Sequence, residues 1–305
     1  MWLLKGQRDN YREEFAITMN CWKFVYKALR SWLLTAMLVA GCIICCASCS
    51  LFDNSSAQNG NIPDSKTISR ILERDTIIIG TTGDYRPLTF LEPGTGEYWG
   101  FGIELAKAIA GKMGVKVKFV GTTWPTLSAD VLADPQMFDL AIGGITITDA
   151  RCAVMLMSDG YLGNGKTILC RASDADRFKS LEDINRPQVR VMVNPGGLNE
   201  QFANANLANA SIIVHPRNEE IPGLVAEGVA DIMITEITEA PYYVKADSRL
   251  AAPLLDSPFT RGEIGVLMRK GQDDLLLFVN EVIKQMKVDG SLQKLHQKYG
   301  LVYNY

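Results

Sequence analysis

Residues 76–120 read TIIIGTTGDYRPLTFLEPGTGEYWGFGIELAKAIAGKMGVKVKFV, and this stretch decides the fold. Thr76–Gly80 is an apolar, β-branched run closed by glycine, which predicts a buried strand. Ile103, Ala106, Ile109, Ala110 and Met113 recur at helical spacing, and Lys116–Val120 returns to strand character. Outward from there the alternation continues. Leu140–Ile142, Arg190–Val193, Ile212–Val214 and Asp231–Thr235 read as strands. Asn199–Leu207, Glu219–Glu227, Leu275–Lys287 and Ser291–Tyr299 read as helices. Such alternation predicts an α/β protein with largely parallel sheets. Lys166–Arg171 (KTILCR) and Gly262–Met268 (GEIGVLM) are expected to link two lobes. The expected layout is a first lobe of residues 65–165 and 262–305, a second of 166–261, and a ligand cleft between them.

The chain has 305 residues, with 47% hydrophobic and 21% charged, a composition that excludes a largely disordered or collagen-like protein. Net charge is −3, and the first 49 residues hold 6 basic and 3 acidic side chains, which leaves the remainder at −6. A mildly acidic body excludes nucleic acid as a partner, because a basic patch supplies most of that affinity. Two histidines, no HExxH and no CxxC beyond the first 49 residues argue against a metal site or other cofactor. GxSxG, P-loop and correctly placed GxGxxG motifs are absent too.

Residues 1–53 read as an address. Lys23, Lys27 and Arg30 precede an uncharged run from Ser31 to Phe52, the order of an export signal. Val39-Ala40-Gly41-Cys42 resembles a bacterial lipobox, which would make Cys42 a lipidated first residue; cleavage near Ser48 and a retained membrane anchor are the alternatives. All three put the body outside the cytoplasm, in the periplasm or facing it. Met19 precedes a better-shaped signal than Met1. Residues 54–64, polar and rich in small residues, read as a flexible tether. Only Cys152 and Cys170 lie in the body, and their places on a helix start and a linking strand disfavour a disulfide.

The runs TIIIGTTGDYRPLTF, WGFGIELAKAIA, FDLAIGGITITDAR and MSDGYLGNGKT resemble the solute-binding proteins of amino-acid importers, over about Thr76–Tyr299. That resemblance implies a two-lobed periplasmic-binding fold. GDYRP (Gly83–Pro87), TWP (Thr123–Pro125), YLGNGKT (Tyr161–Thr167), NPGGLNEQFA (Asn194–Ala203), ANASIIVHPRN (Ala208–Asn218) and ITEITEA (Ile234–Ala240) are similar, more narrowly, to the cyclohexadienyl dehydratases. These are lyases on the same fold that convert prephenate to phenylpyruvate and arogenate to phenylalanine. Leu198 departs from the family's NPGGTNE run and removes a threonine hydroxyl beside the cleft.

The resemblance implies roles for named residues. Glu239 matches the family's general acid, and its uncharged neighbours would let burial keep it protonated. Its bland reading is a glutamate at a helix start. Arg151 would clamp a substrate carboxylate, and arginine suits that bidentate contact. Thr146 and the Gly143-Gly144 turn would offer a hydroxyl and N–H groups to the same carboxylate at a helix start. Asn194 and Asn199 flank a turn facing the cleft, though Asn199 could instead cap a helix. Lys166 would meet a second carboxylate. Trp124 and Tyr85 would wall in a six-membered ring. Glu236 stands where amino-acid-binding relatives carry an aspartate for an α-ammonium group. It keeps open the rival reading of an importer subunit without catalysis. The expected partner is a small anionic substrate, and homo-oligomers are left open.

Overall fold

The computed structural model of the chain describes residues 66–302. The expected export signal, lipidation at Cys42 and tether at 54–64 lie outside the described residues.

The run that opens the βαβ alternation becomes the strand Thr76–Thr81, second in a five-stranded sheet. The sheet order is Lys116–Gly121, Thr76–Thr81, Leu140–Ala141, Leu267–Arg269, Met155–Met157. The first three strands run parallel, with Ile77 opposite Val117 and Ile79 opposite both Phe119 and Leu140. The fourth runs antiparallel to both of its neighbours. The periodic segment forms the helix Phe101–Met113, which buries Ile103, Leu105, Ala106 and Ile109 completely. It stops at Gly114, whose left-handed backbone donates to the carbonyls of Ala110 and Gly111. The helices Asp273–Val288 and Ser291–Lys298 share this helix's core through Val279, Ile283 and Leu292.

The second sheet repeats the plan. Its order is Ser211–Val214, Arg190–Val193, Ile232–Glu236, Lys166–Arg171, Leu250–Ala251. Its first three strands are parallel, and the fourth runs antiparallel to both of its neighbours. Side chains alternate between its faces, as the pleat requires. Ile168, Cys170, Val191, Val193, Ile232 and Ile234 join one core, while Leu169, Met192 and Met233 join another behind it.

Two sequence expectations need correction. Lys166–Arg171 is not a link but an inner strand of the second sheet, and its first five residues are buried. A short buried run has no periodicity that separates a core strand from a connecting one. Gly262–Met268 resolves into two strands. Gly262–Ile264 pairs antiparallel with Leu162–Asn164, in a two-stranded ribbon between the sheets, and Leu267–Arg269 enters the first sheet. In each sheet four of the five strands share one direction, and the fourth in the order is reversed. Unforeseen was a three-stranded meander, Asp84–Tyr85, Thr89–Leu91 and Tyr98–Trp99, which carries Tyr85 to the cleft. Cys152 is exposed on the helix Asp149–Val154 and Cys170 is buried in the second sheet; both are free thiols.

Candidate functional site

The parallel strands of both sheets end toward one crevice, where ligands bind in open α/β sheets. Leu140–Ala141 leads to Gly143-Gly144, Arg190–Val193 to Asn194, and Ile232–Glu236 ends on Glu236 itself. Together they surround a narrow cavity. Tyr85, Trp124, Gly144, Thr146, Arg151, Lys166, Asn194, Asn199 and Glu236 all line it, joined by Gly197 and Leu198. The structure therefore gathers every expected binding position around one space. It widens on one side past Trp124 and Asn194, and on another past Lys166 and Leu198.

Two glycines permit the close approaches. Gly144 has φ +77°, and a Cβ there would lie 2.7 Å from the Tyr85 ring. Gly196 has φ +72°, and its Cβ would lie 2.6 Å from Pro125 Cα on the opposite lobe.

The cavity's charges are organised around Glu236. Lys166 Nζ donates to Glu236 Oε1 at 2.5 Å and to Asn199 Oδ1 at 2.6 Å. The Tyr85 hydroxyl donates to Glu236 Oε2 from the other lobe, and the Thr146 hydroxyl to Oε1 at 3.5 Å. Burial works against the Glu236 anion, but the Lys166 ammonium and these bonds outweigh it and hold the carboxyl below its ordinary range. Asn199 in turn donates to Asn194 Oδ1 at 3.5 Å. Trp124 meets the Tyr85 ring edge-on, with centroids 5.7 Å apart, and its indole N–H donates to Asp84 Oδ1 at 3.0 Å. Burial raises the Asp84 carboxyl despite that bond.

Arg151 lies on the helix Asp149–Val154, and its Nη1 donates to the Thr146 carbonyl at 2.6 Å, which aims the guanidinium along the wall. Burial lowers its pKa and the Glu236 charge opposes that. Thr146 does not sit at a helix start. It bridges to Ile264, and Thr148 caps the helix instead by accepting from Arg151 N–H. Asn199 is likewise not a cap: Gly197 holds that position and Asn199 is one residue inside the helix Leu198–Asn206.

Glu239 is fully buried and is not among the residues lining the cavity. It precedes the helix Ala240–Ala246, yet its side chain makes no cap bond. Its Oε2 accepts from the Thr235 hydroxyl at 2.5 Å and its Oε1 from Asn218 Nδ2 at 2.7 Å. Burial, with Glu236 and Asp84 nearby, pushes its pKa up to about 8 against the pull of those two donors. A carboxyl held this way carries its proton at neutral pH. Of the cavity residues, Tyr85 and Glu236 are the ones electrostatically coupled to it. The sequence reading missed Asn218, Thr235 and Asp84. Asn218 ends the quoted HPRN run and Thr235 lies four residues before Glu239, but only tertiary contact tells them from their neighbours.

Residues 77–302 match the bacterial extracellular solute-binding proteins, family 3. The cyclohexadienyl dehydratase of Pseudomonas aeruginosa is 38% identical over 67% of this chain and 75% of its own. The L-cystine-binding protein TcyJ of Escherichia coli is 28% identical over 77% of this chain and 86% of its own. Among solved structures, an ancestral amino-acid-binding protein described as a precursor of cyclohexadienyl dehydratase is 40% identical, with a TM-score of 0.70 over 77% of this chain and 99% of that one. A mutant of ArgBP from T. maritima is 26% identical, with a TM-score of 0.69 over 76% of this chain and 98% of that one. By its sheets, its cleft and the match across residues 77–302, the chain belongs to family 3 of the bacterial extracellular solute-binding proteins.

Proposed function

We propose that this chain is an exported lyase that converts prephenate to phenylpyruvate, and arogenate to phenylalanine, with Glu239 as general acid. The observation that carries the reading is a fully buried carboxyl, Glu239, whose burial pushes its pKa up to about 8, behind the wall of a cavity lined by Arg151 and Lys166. A binding protein for amino acids has no use for such a group. The likeness to the Pseudomonas aeruginosa cyclohexadienyl dehydratase supports the same chemistry.

Prephenate brings two carboxylates and a ring hydroxyl. Arg151, Thr146 and the Gly144 turn would hold one carboxylate, and Lys166 with Asn194 and Asn199 the other. Trp124 and Tyr85 would flank the ring. The bond to the ring carboxylate breaks and releases CO₂, and its electron pair completes the aromatic ring. The C–O bond on the opposite carbon breaks as the Glu239 proton reaches the departing hydroxyl, which leaves as water. Glu239 remains as a carboxylate and recovers a proton from solvent. Glu239 stands behind the cavity wall, so that wall must open toward it for the proton to reach the substrate. The enclosing lobes exclude water and strengthen each charge interaction.

The lobe boundaries at 165/166 and 261/262 belong to this proposal; the antiparallel ribbon of Leu162–Asn164 and Gly262–Ile264 supports them. So does the N-terminal address, with Cys42 as the lipidated residue, and the family's extracellular character supports export. One observation favours a second reading: Glu236, held ionised on the cavity wall, suits an α-ammonium group, as in an importer subunit. Purified protein mixed with prephenate, followed at the phenylpyruvate absorbance, separates the two. Product supports the lyase. No product, with tight binding of an amino acid, selects the importer subunit.

A further inference from the structure

Asn218 opens a short 3-10 turn, Asn218–Glu220, and is 1% exposed. Its amide nitrogen carries two protons. One is donated to Glu239 Oε1 at 2.7 Å, and the other to the backbone carbonyl of Asp84, across the cleft, at 3.2 Å. Its amide oxygen, also buried, meets no protein partner. The Asp84 carbonyl fixes this orientation, because turning the amide over would set oxygen against oxygen. A nitrogen donor facing a carboxyl favours the anion. If the lobes part, the carbonyl withdraws, and the amide is free to turn its oxygen toward the acid's O–H.

We propose that Asn218 is a positioning residue that couples lobe closure to proton delivery: the Asp84 carbonyl locks its nitrogen toward Glu239, so the carboxylate left after the proton departs has this donor, in addition to Thr235, only in the closed protein. The proposal rests on the reading of Glu239 as general acid. The other groups facing Glu239 are Thr235, Glu236 and Asp84, with Tyr85 and Tyr243 also coupled to it. None of these groups is itself replaced in the variants below.

The test has two readouts on wild type, Asn218→Ala and Asn218→Leu. The first is the carboxyl titration of Glu239 by ¹³C NMR, its signal assigned by its loss in Glu239→Gln. The second is the pH profile of prephenate turnover. Removing the donor should move the Glu239 titration upward by about one pH unit or more and lower kcat by about 10- to 100-fold, with KM changed less than about threefold. Asn218→Leu keeps the approximate volume with neither donor nor charge, so it should not rescue, and it serves if the alanine variant fails to fold. A folded variant with the wild-type titration overturns the proposal, as does one that merely melts at lower temperature. An inactive wild type whose Glu239 titration still moves in the variants supports the Asn218–Glu239 contact, and overturns its role in proton delivery together with the dehydratase reading.

Discussion

Replacing Glu239 with glutamine should make the protein more stable and less active, and the gain should grow with pH. Glutamine keeps both contacts, since its oxygen accepts from Asn218 and its NH₂ donates to Thr235. It loses only the ability to ionise. In the unfolded chain Glu239 titrates near 4.5, whereas burial pushes it up to about 8 in the folded protein. Between those values the unfolded state has shed a proton that the folded state keeps, so stability falls as pH rises through the window. A separation of 8 − 4.5 is worth about 5 kcal/mol as an order-of-magnitude ceiling. Below pH 4.5 both states hold the proton and the loss is absent; above 8 it is complete. Carboxylates elsewhere titrate in both proteins and cancel. Urea unfolding from pH 4 to 8 should therefore show Glu239→Gln gaining several kcal/mol over wild type, at unchanged m value. Activity should fall about 10²- to 10⁴-fold, as for loss of general acid catalysis. A stability difference that stays flat across the window would refute the burial argument. Wild-type turnover by Glu239→Gln would refute the mechanism.

Three further outcomes follow from the same geometry. Wild-type turnover should fall as pH rises through about 8, because ionised Glu239 has no proton to give; a flat profile to pH 9 removes it as the acid. Arg151→Ala should raise KM by about 10-fold or more and spare kcat, since it removes binding to a carboxylate that persists through the reaction. A pure kcat loss in steady-state kinetics would place Arg151 elsewhere. Gly196→Ala puts a Cβ into Pro125 across the cleft at a left-handed φ, so it should hold the lobes apart and weaken ligand binding about 10-fold or more. Calorimetry and small-angle scattering would detect this, and unchanged affinity with normal closure would contradict it.

Much of the fold was legible because its strands are short, apolar and spaced by amphipathic helices. Thr76–Thr81, Arg190–Val193 and Phe101–Met113 were readable almost to their ends for that reason. Lys166–Arg171 misled because a strand buried on both faces looks the same in a sheet as between two lobes. The meander carrying Tyr85 was invisible because its strands are two or three residues long. The cavity residues were found through motif resemblance and through chemistry that suits anions. Asn218 and Thr235 were not, because a hydrogen bond across 21 residues, or back along a strand, leaves no spacing signature. Nor could composition reveal that Glu236 lines the cavity while Glu239 lies behind its wall, since both are glutamates in one six-residue run.

The most direct measurement is single-turnover conversion of prephenate by purified residues 60–305, followed by phenylpyruvate absorbance, with Glu239→Gln alongside. The account predicts rapid phenylpyruvate formation by the wild type, little above the uncatalysed rate by the variant, and comparable prephenate binding by both. No phenylpyruvate from the wild type, together with tight binding of a free amino acid at the Arg151–Glu236 cavity, would contradict it.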